Sequence, residues 1–245
     1  MFPLVHYFVN SQIYKNVSPL MALGGVFPDL AAGAGMDRDE AHTFGRAFHA
    51  WCKKNAPRSL DLALGIISHG TEPPCVDHYA DEYWPGYRKG WCFMQGEKYM
   101  DEVARVTHLP ENYVWWKSHN FVEISYELLT EEKHPQVRKD LLAAIKDETA
   151  IKEASSFISR YSGIPEERFL SVFHRITDFF ALETLTPLEL AKKQNLAFVN
   201  KFNIADADVE GMAKLFCRIH DDMREGYEEL MDIIITNTAR ELAAL

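Results

Sequence analysis

The chain has 245 residues, 47% hydrophobic and 25% charged. That composition excludes a disordered or low-complexity protein and suffices for one large domain. Its net charge is −10, from 26 Lys and Arg against 36 Asp and Glu. This disfavours a nucleic-acid backbone as partner, because phosphate neutralisation wants a basic surface, and suits a cation in an acidic pocket. The four cysteines, Cys52, Cys75, Cys92 and Cys217, form no CxxC pair. Neither a thiolate zinc finger nor a disulfide scaffold fits them, which leaves reduced thiols. The start, "MFPLVHYFVNSQIYKNV", lacks a basic segment, and Asn10, Ser11 and Gln12 cut its apolar run, so it does not read as a signal peptide. No stretch has the apolar length of a membrane span. The expectation is a soluble, cytoplasmic protein.

In chain order, residues 24–38 read as irregular. Gly24 and Gly25 in "LGGVFPDL" permit unusual backbone angles, and Asp29 after Pro28 reads, taken alone, as a helix cap. His42 and His49 are seven apart; on one helix they share a face but stand about 10.5 Å apart along the axis. With metal–nitrogen bonds of about 2 Å, they do not share one ion. His49, beside Phe48 and Trp51, reads as a packed histidine. "RSLDLALGIISH" (58–69) has apolar residues at helical spacing and ends at His69. Pro73 and Pro74 then stop the helix and bend the chain, so that His78 and Asp77 face a different place from His69. The stretch "SHGTEPPCVDHYADE" (68–82) therefore either serves two ions or is a polar loop between helices. Residues 70–96 read as a long loop whose Tyr79, Tyr83, Trp84, Tyr87, Trp91 and Phe93 pack down as a lid.

Pro110 starts a helix over 111–129. On it His119 and Glu123 lie one turn apart, on a face shared with Trp115, Val122 and Tyr126 that points inward. Such a pair either chelates a divalent ion or makes a simple His–Glu hydrogen bond. A further helix spans 137–163 and ends at Gly163. Thr186, Pro187 and Glu189 spell a capping box. Met212, Phe216, Ile219, Met223, Tyr227, Leu230 and Ile234 recur every three or four residues, as one long amphipathic helix. Its stripe is expected to pack internally rather than against a second subunit of a homo-oligomer. There is no strand pattern and no repeat, so the fold class is all-α.

Taken together, several short motifs resemble the zinc-dependent phospholipase C-like proteins, an all-helical superfamily that includes single-strand-specific nucleases. "PLVHYFV" resembles the family's N-terminal helix with its early histidine, here His6. "LGGVFPDL" resembles the LGxxxPDL segment, whose zinc-binding aspartate falls at Asp29. "HTFG" supplies His42 at a family-like interval. "LGIISH" places a ligand at His69, "DHY" places one at His78, and "SHNFVE" resembles the HxxxE pair at His119 and Glu123. The resemblance covers residues 1–130; residues 131–245 read as additional C-terminal helices of the same domain. Where the family has an aspartate that bridges two zincs, this chain has Pro73, with Glu72 or Asp77 as substitutes. Met1 carries no processing signal of the kind that makes the N-terminus a ligand in secreted relatives. One or two ions, zinc or another divalent transition metal, are therefore expected rather than three.

The resemblance implies phosphoester hydrolysis. Asp29 would be a ligand and the base that orients water, with His42 and His69 sharing its ion. His78, His119 and Glu123 would form a second site, and His6 a ligand of a third site or a supporting group. The expected substrate is a small phosphoester or a phospholipid head group, walled by aromatics. The rival reading is a non-catalytic helical protein with a structural metal or none.

Overall fold

The computed structural model describes residues 2–204 and 207–245. Among them the chain is all-α, with fifteen α-helices, no β-strand, and one isolated bridge between Trp84 and Tyr87. Helix α1 (Pro3–Ile13) and helix α2 (Pro19–Leu30) both carry proline in the first turn, where its missing N–H costs nothing. Ser18 caps α2 by accepting a hydrogen bond from Met21 N. After a 3-10 turn at 31–34 come α3 (Arg38–Thr43), α4 (Gly45–Asn55) and α5 (Leu60–His69).

Residues 24–30 are helical, not irregular. Gly24 and Gly25 serve no unusual backbone angle: Gly24 lets α2 lie directly against α5. A β-carbon on Gly24 would stand 2.2 Å from the Leu62 carbonyl oxygen, and one on Gly65 would stand 2.1 Å from that of Met21. The two helices thus touch backbone to backbone, and this contact sets where His69, at the end of α5, meets the last turns of α2.

A bend through Pro73 and Pro74 leads to a π-helical turn at His78–Glu82, then to α6 (Trp91–Gly96), α7 (Met100–Thr107) and α8 (Glu111–Lys133). The segment 70–96 is thus partly helical. Phe93 is buried, Trp84 and Trp91 pack edge to face against the core, and Tyr83 is exposed. As expected, α8 starts after Pro110 and turns Val122, Tyr126 and the His119–Glu123 pair inward.

The second half differs in three places from the sequence reading. Residues 137–163 are two helices, α9 (Pro135–Ile145) and α10 (Glu148–Ser162). Asp147 breaks the pattern by capping α10, accepting from Thr149 N and Ala150 N; Gly163 ends it with φ 76°. Helix α11 (Glu166–His174) and the short α12 (Ile176–Phe179) follow. Helix α13 (Pro187–Phe202) has its Thr186 cap on Glu189 N, but the Glu189 carboxylate pairs with Lys192, so the capping box is one-sided. The C-terminal stripe belongs to two helices, α14 (Val209–Met223) and α15 (Tyr227–Ala243), separated at residues 224–226. All seven residues of the stripe are buried within the chain. One contiguous apolar core runs from Leu4 on α1 to Ile234 on α15. Among the described residues no helix is long and apolar enough to cross a membrane.

The α2–α5 contact yields a test. Gly→Ala inside a helix normally gains about 1 kcal/mol of helix propensity. Gly65→Ala is expected to do the opposite, lowering stability by about 1–3 kcal/mol, because its methyl would overlap the Met21 carbonyl. Denaturant unfolding of the variant against the native chain measures this.

Candidate metal centre

Asp29 stands in the last turn of α2, where the helix dipole is unfavourable to a carboxylate and favourable to a cation. It is therefore not an N-cap. His42 lies on α3 and His69 on the last turn of α5. Asp77 enters the π-helical turn after the proline bend. Together these four residues offer ligand atoms within 4.8 Å of one another.

The tautomers of the two histidines are fixed. His42 Nδ1 donates to the Arg38 carbonyl at 2.7 Å, and His69 Nδ1 donates to the Gly25 carbonyl at 2.8 Å. A carbonyl can only accept, so in each neutral ring the proton is on Nδ1 and the lone pair on Nε2. Both Nε2 atoms are buried and have no hydrogen-bond partner. They face oxygens instead. His69 Nε2 is 3.1 Å from Asp77 Oδ2, outside hydrogen-bond geometry, and 3.9 Å from Asp29 Oδ1. His42 Nε2 is 3.5 Å from Asp77 Oδ2 and 3.9 Å from Asp29 Oδ1. Lone pairs directed at carboxylates repel unless a positive charge lies between them. Four ligands at zinc distances would be separated by about 3.3 Å. The observed separations bracket that value, so this Asp/His/His/Asp cluster could hold a metal ion.

The electrostatics separate the two rings: His42 is held neutral, whereas Asp77 favours a proton on His69 that a metal ion would displace. Burial pulls His42 below the ordinary histidine value, which keeps it neutral and ready to ligate. Burial also opposes a charge on His69, but Asp77 outweighs it and the net direction is upward. Burial pushes Asp77 up, yet the positive charge around it, including His69 and His6, holds its carboxyl well below the usual range. Asp29, whose side chain is 29% exposed, stands at the mouth of the group. Surrounding protein pushes its carboxyl up, His69 opposes, and Asp77 adds to the rise.

His6, on α1, stacks on His69 with ring centroids 3.8 Å apart, and its Nε2 is 3.4 Å from Asp77 Oδ1. Asp77 thus turns one oxygen to His42 and His69 and the other to His6. Of Glu72 and Asp77, Asp77 faces the histidines, while Glu72 is exposed. Helix α1 is held there by Glu127 of α8, which accepts from Leu4 N at 2.9 Å and Val5 N at 3.0 Å. Burial pushes the Glu127 carboxyl up to about 8, although both N–H donors favour its charged form.

The structure does not bring His78 to Glu123. Adjacent residues on a helical turn point in different directions, so with Asp77 facing the cluster, His78 turns outward and stacks near Tyr83. His119 Nε2 and Glu123 Oε2 stand 3.9 Å apart, with the Asn120 amide beside both. His119 Nδ1 donates to the Trp116 carbonyl, its Nε2 lies 3.1 Å from Asn120 Nδ2, and that amide donates to Glu123 Oε2 at 2.8 Å. Burial lowers His119 to about 4, so the ring is neutral. Glu123 also joins Asp81 and Cys92 in a second buried group. The sequence reading missed both partners. Asp81 had a usable signal, its four-residue spacing from Asp77; Cys92 had none, because a loop return brings it in. His49 is buried on α4 outside either group, as expected of a packed histidine.

No family model, no curated protein and no solved structure matches this chain.

Metal binding at His69 must displace a proton held above the ordinary histidine value. The thermal stabilisation produced by added zinc is therefore expected to be absent near about pH 5 and to grow as pH rises past about 6.5. It should disappear at every pH in His69→Ala. Melting scans with and without zinc across this range read it directly.

Proposed function

We propose that the chain is a metal-dependent phosphoester hydrolase, with zinc on Asp29, His42, His69 and Asp77. The observation that supports this reading is a juxtaposition of opposite charges. Within electrostatic reach of the acidic groups stand two cations, Arg38, which also meets Asp39 at 3.4 Å, and Lys117. Burial lowers the Arg38 guanidinium's pKa, but Asp81, Asp77, Asp29 and Asp39 more than offset it. Burial pushes the Lys117 ammonium down to about 8, with Lys201 and Arg38 adding to the fall and Glu123 opposing it. In a chain of net charge −10, Arg38 and Lys117 beside these carboxylates offer an anionic ligand two positive partners.

A divalent ion, when bound there, supplies Lewis acidity that acidifies a water and polarises a phosphoryl oxygen. The chain's own residues do the rest. Arg38 is half exposed and presents a planar set of donors to phosphoryl oxygens. Lys117, anchored at 3.3 Å on Asn120 Oδ1, adds a point charge. Asp29, at the mouth with its carboxyl raised, orients the attacking water and takes up its proton. Asp77 and the two backbone-bonded imidazoles hold their orientation throughout. The exposure of Asp29 favours a catalytic site over a closed structural one, which keeps no position for water. A small phosphoester or a phospholipid head group suits this mouth.

Hydrolysis of a chromogenic phosphodiester by zinc-loaded protein tests the reading. Activity should vanish on chelation and fall at least about 100-fold in His69→Ala. Arg38→Ala should raise KM by about tenfold and change kcat less, as expected for loss of one charge-assisted contact to substrate. Zinc-loaded protein inactive on phosphodiesters and phosphomonoesters alike would refute it.

A further inference from the structure

Among the described residues six large hydrophobic side chains are exposed, and five of them lie on three neighbouring elements. Leu188 and Leu196 stand on α13, Phe179 ends α12, and Tyr113 and Trp116 stand one turn apart near the start of α8. Contacts join the three. Lys193 Nζ donates to the Thr177 and Asp178 carbonyls at 3.0 and 2.9 Å, which ties α12 to the middle of α13. The Tyr113 and Phe202 rings meet with centroids 4.7 Å apart, which ties the start of α8 to the end of α13. Lys193 and Phe202 are about two and a half helical turns apart, so α12 and α8 flank α13 on opposite sides. Between these flanks Leu188, Lys192 and Leu196 form one outward row at four-residue spacing. Leu190, Ala191 and Phe198 turn the other side of α13 into the core.

The charge of this face is opposite to that of the chain. Helix α13 carries three lysines against one glutamate, in a protein of net charge −10. Glu189 pairs with Lys192 at 2.6 Å, while Lys193 and Lys201 make no ion pair among the described residues. The pattern does not suit a second copy of the chain, because an isologous contact would set lysine against lysine. Nor does it suit the core of a protein interface, where lysine is depleted; here Lys192 sits between the two exposed leucines. It suits an anionic bilayer. Leucine and aromatic side chains enter the acyl boundary, and lysine stems lie along apolar surface while their ammonium groups reach lipid phosphates. Tyr113 and Trp116 favour that boundary because each has an apolar ring and one polar hydrogen.

We infer that α13, with the end of α12 and the start of α8, docks the protein on an anionic membrane surface, with α13 lying in the plane of the interface. The inference does not rest on the hydrolase reading. Helices α12 and α13 lie outside the residues that carry the motif resemblance, and the face would meet lipid whether or not the metal centre is catalytic.

The test is sedimentation of the full chain with vesicles of phosphatidylcholine alone, or with about 30% phosphatidylserine, at about 0.1 M salt. The expected result is pelleting with the anionic vesicles, little with the neutral ones, and release at about 0.5 M salt. Leu196→Ala and Lys192→Ala change exposed positions and should each weaken binding about fivefold. Lys54→Ala, on α4, should leave it unchanged. Binding should survive both chelation and His69→Ala, which separates this surface from the metal centre. No pelleting on anionic vesicles would overturn the inference and leave the metal centre untouched. Equal binding to both vesicles, or an equal loss in Lys54→Ala, would also overturn it. So would binding abolished by chelation, which would put the lipid contact at the metal centre. A chain dimer that Leu196→Ala dissociates would overturn it in favour of a second copy.

Discussion

The direct contact of α2 with α5 at Gly24 and Gly65 is the constraint on which the site depends. It brings the Gly25 carbonyl within hydrogen-bond reach of His69 Nδ1, at 2.8 Å. That bond puts the ring proton on Nδ1 and the lone pair on Nε2. The Arg38 carbonyl does the same for His42 one helix later. Neither ring needs a carboxylate to orient it, so both carboxylates of the group remain available to a cation. A side chain at either glycine would separate the helices and remove the backbone acceptor with them.

Charge is distributed around this frame with a consistent sense. The last turn of α2 and the last turn of α5, both negative dipole ends, carry Asp29 and His69. Asp77 is divided between His6 on one side and His42 and His69 on the other. Glu127, one turn below Glu123 on α8, caps α1 and so sets the height at which His6 stacks on His69. Helix α8 is therefore a structural spine. Its inward face carries Glu123 to the second group and Glu127 to α1. The cost of burying these carboxyls is met by N–H donors at Glu127 and by the adjacent polar groups at Asp77 and Glu123.

Much of the site was legible in the chain, unevenly. His69 ended an apolar helix, where an unpartnered polar side chain is costly, while Asp29 and His42 stood out only through the motif resemblance, and the structure brings those three together. His78 and the His119–Glu123 pair were legible only as chemistry-bearing types. Their grouping depended on direction: at residues 77 and 78 a rotation of one residue along a π-helical turn decides which side chain faces inward. At 119–123 an intervening Asn120 amide occupies the space between imidazole and carboxylate. Asp147 and residues 224–226 interrupted apolar patterns that continue across the break, because periodicity records which face is buried and not whether the helix beneath it is continuous.

The sequence by itself determined the all-helical class, the inward face of α8, the internal burial of the C-terminal stripe and most helix starts. These follow from local rules, apolar period and capping chemistry, that act within a few residues. Only the tertiary structure decided which carboxylate completes the histidine pair, that Cys92 meets Asp81 and Glu123, and that Gly24 and Gly65 serve contact between helices rather than unusual backbone angles. Those outcomes turn on approaches between segments tens of residues apart, set by backbone contact and side-chain direction, which no local pattern encodes.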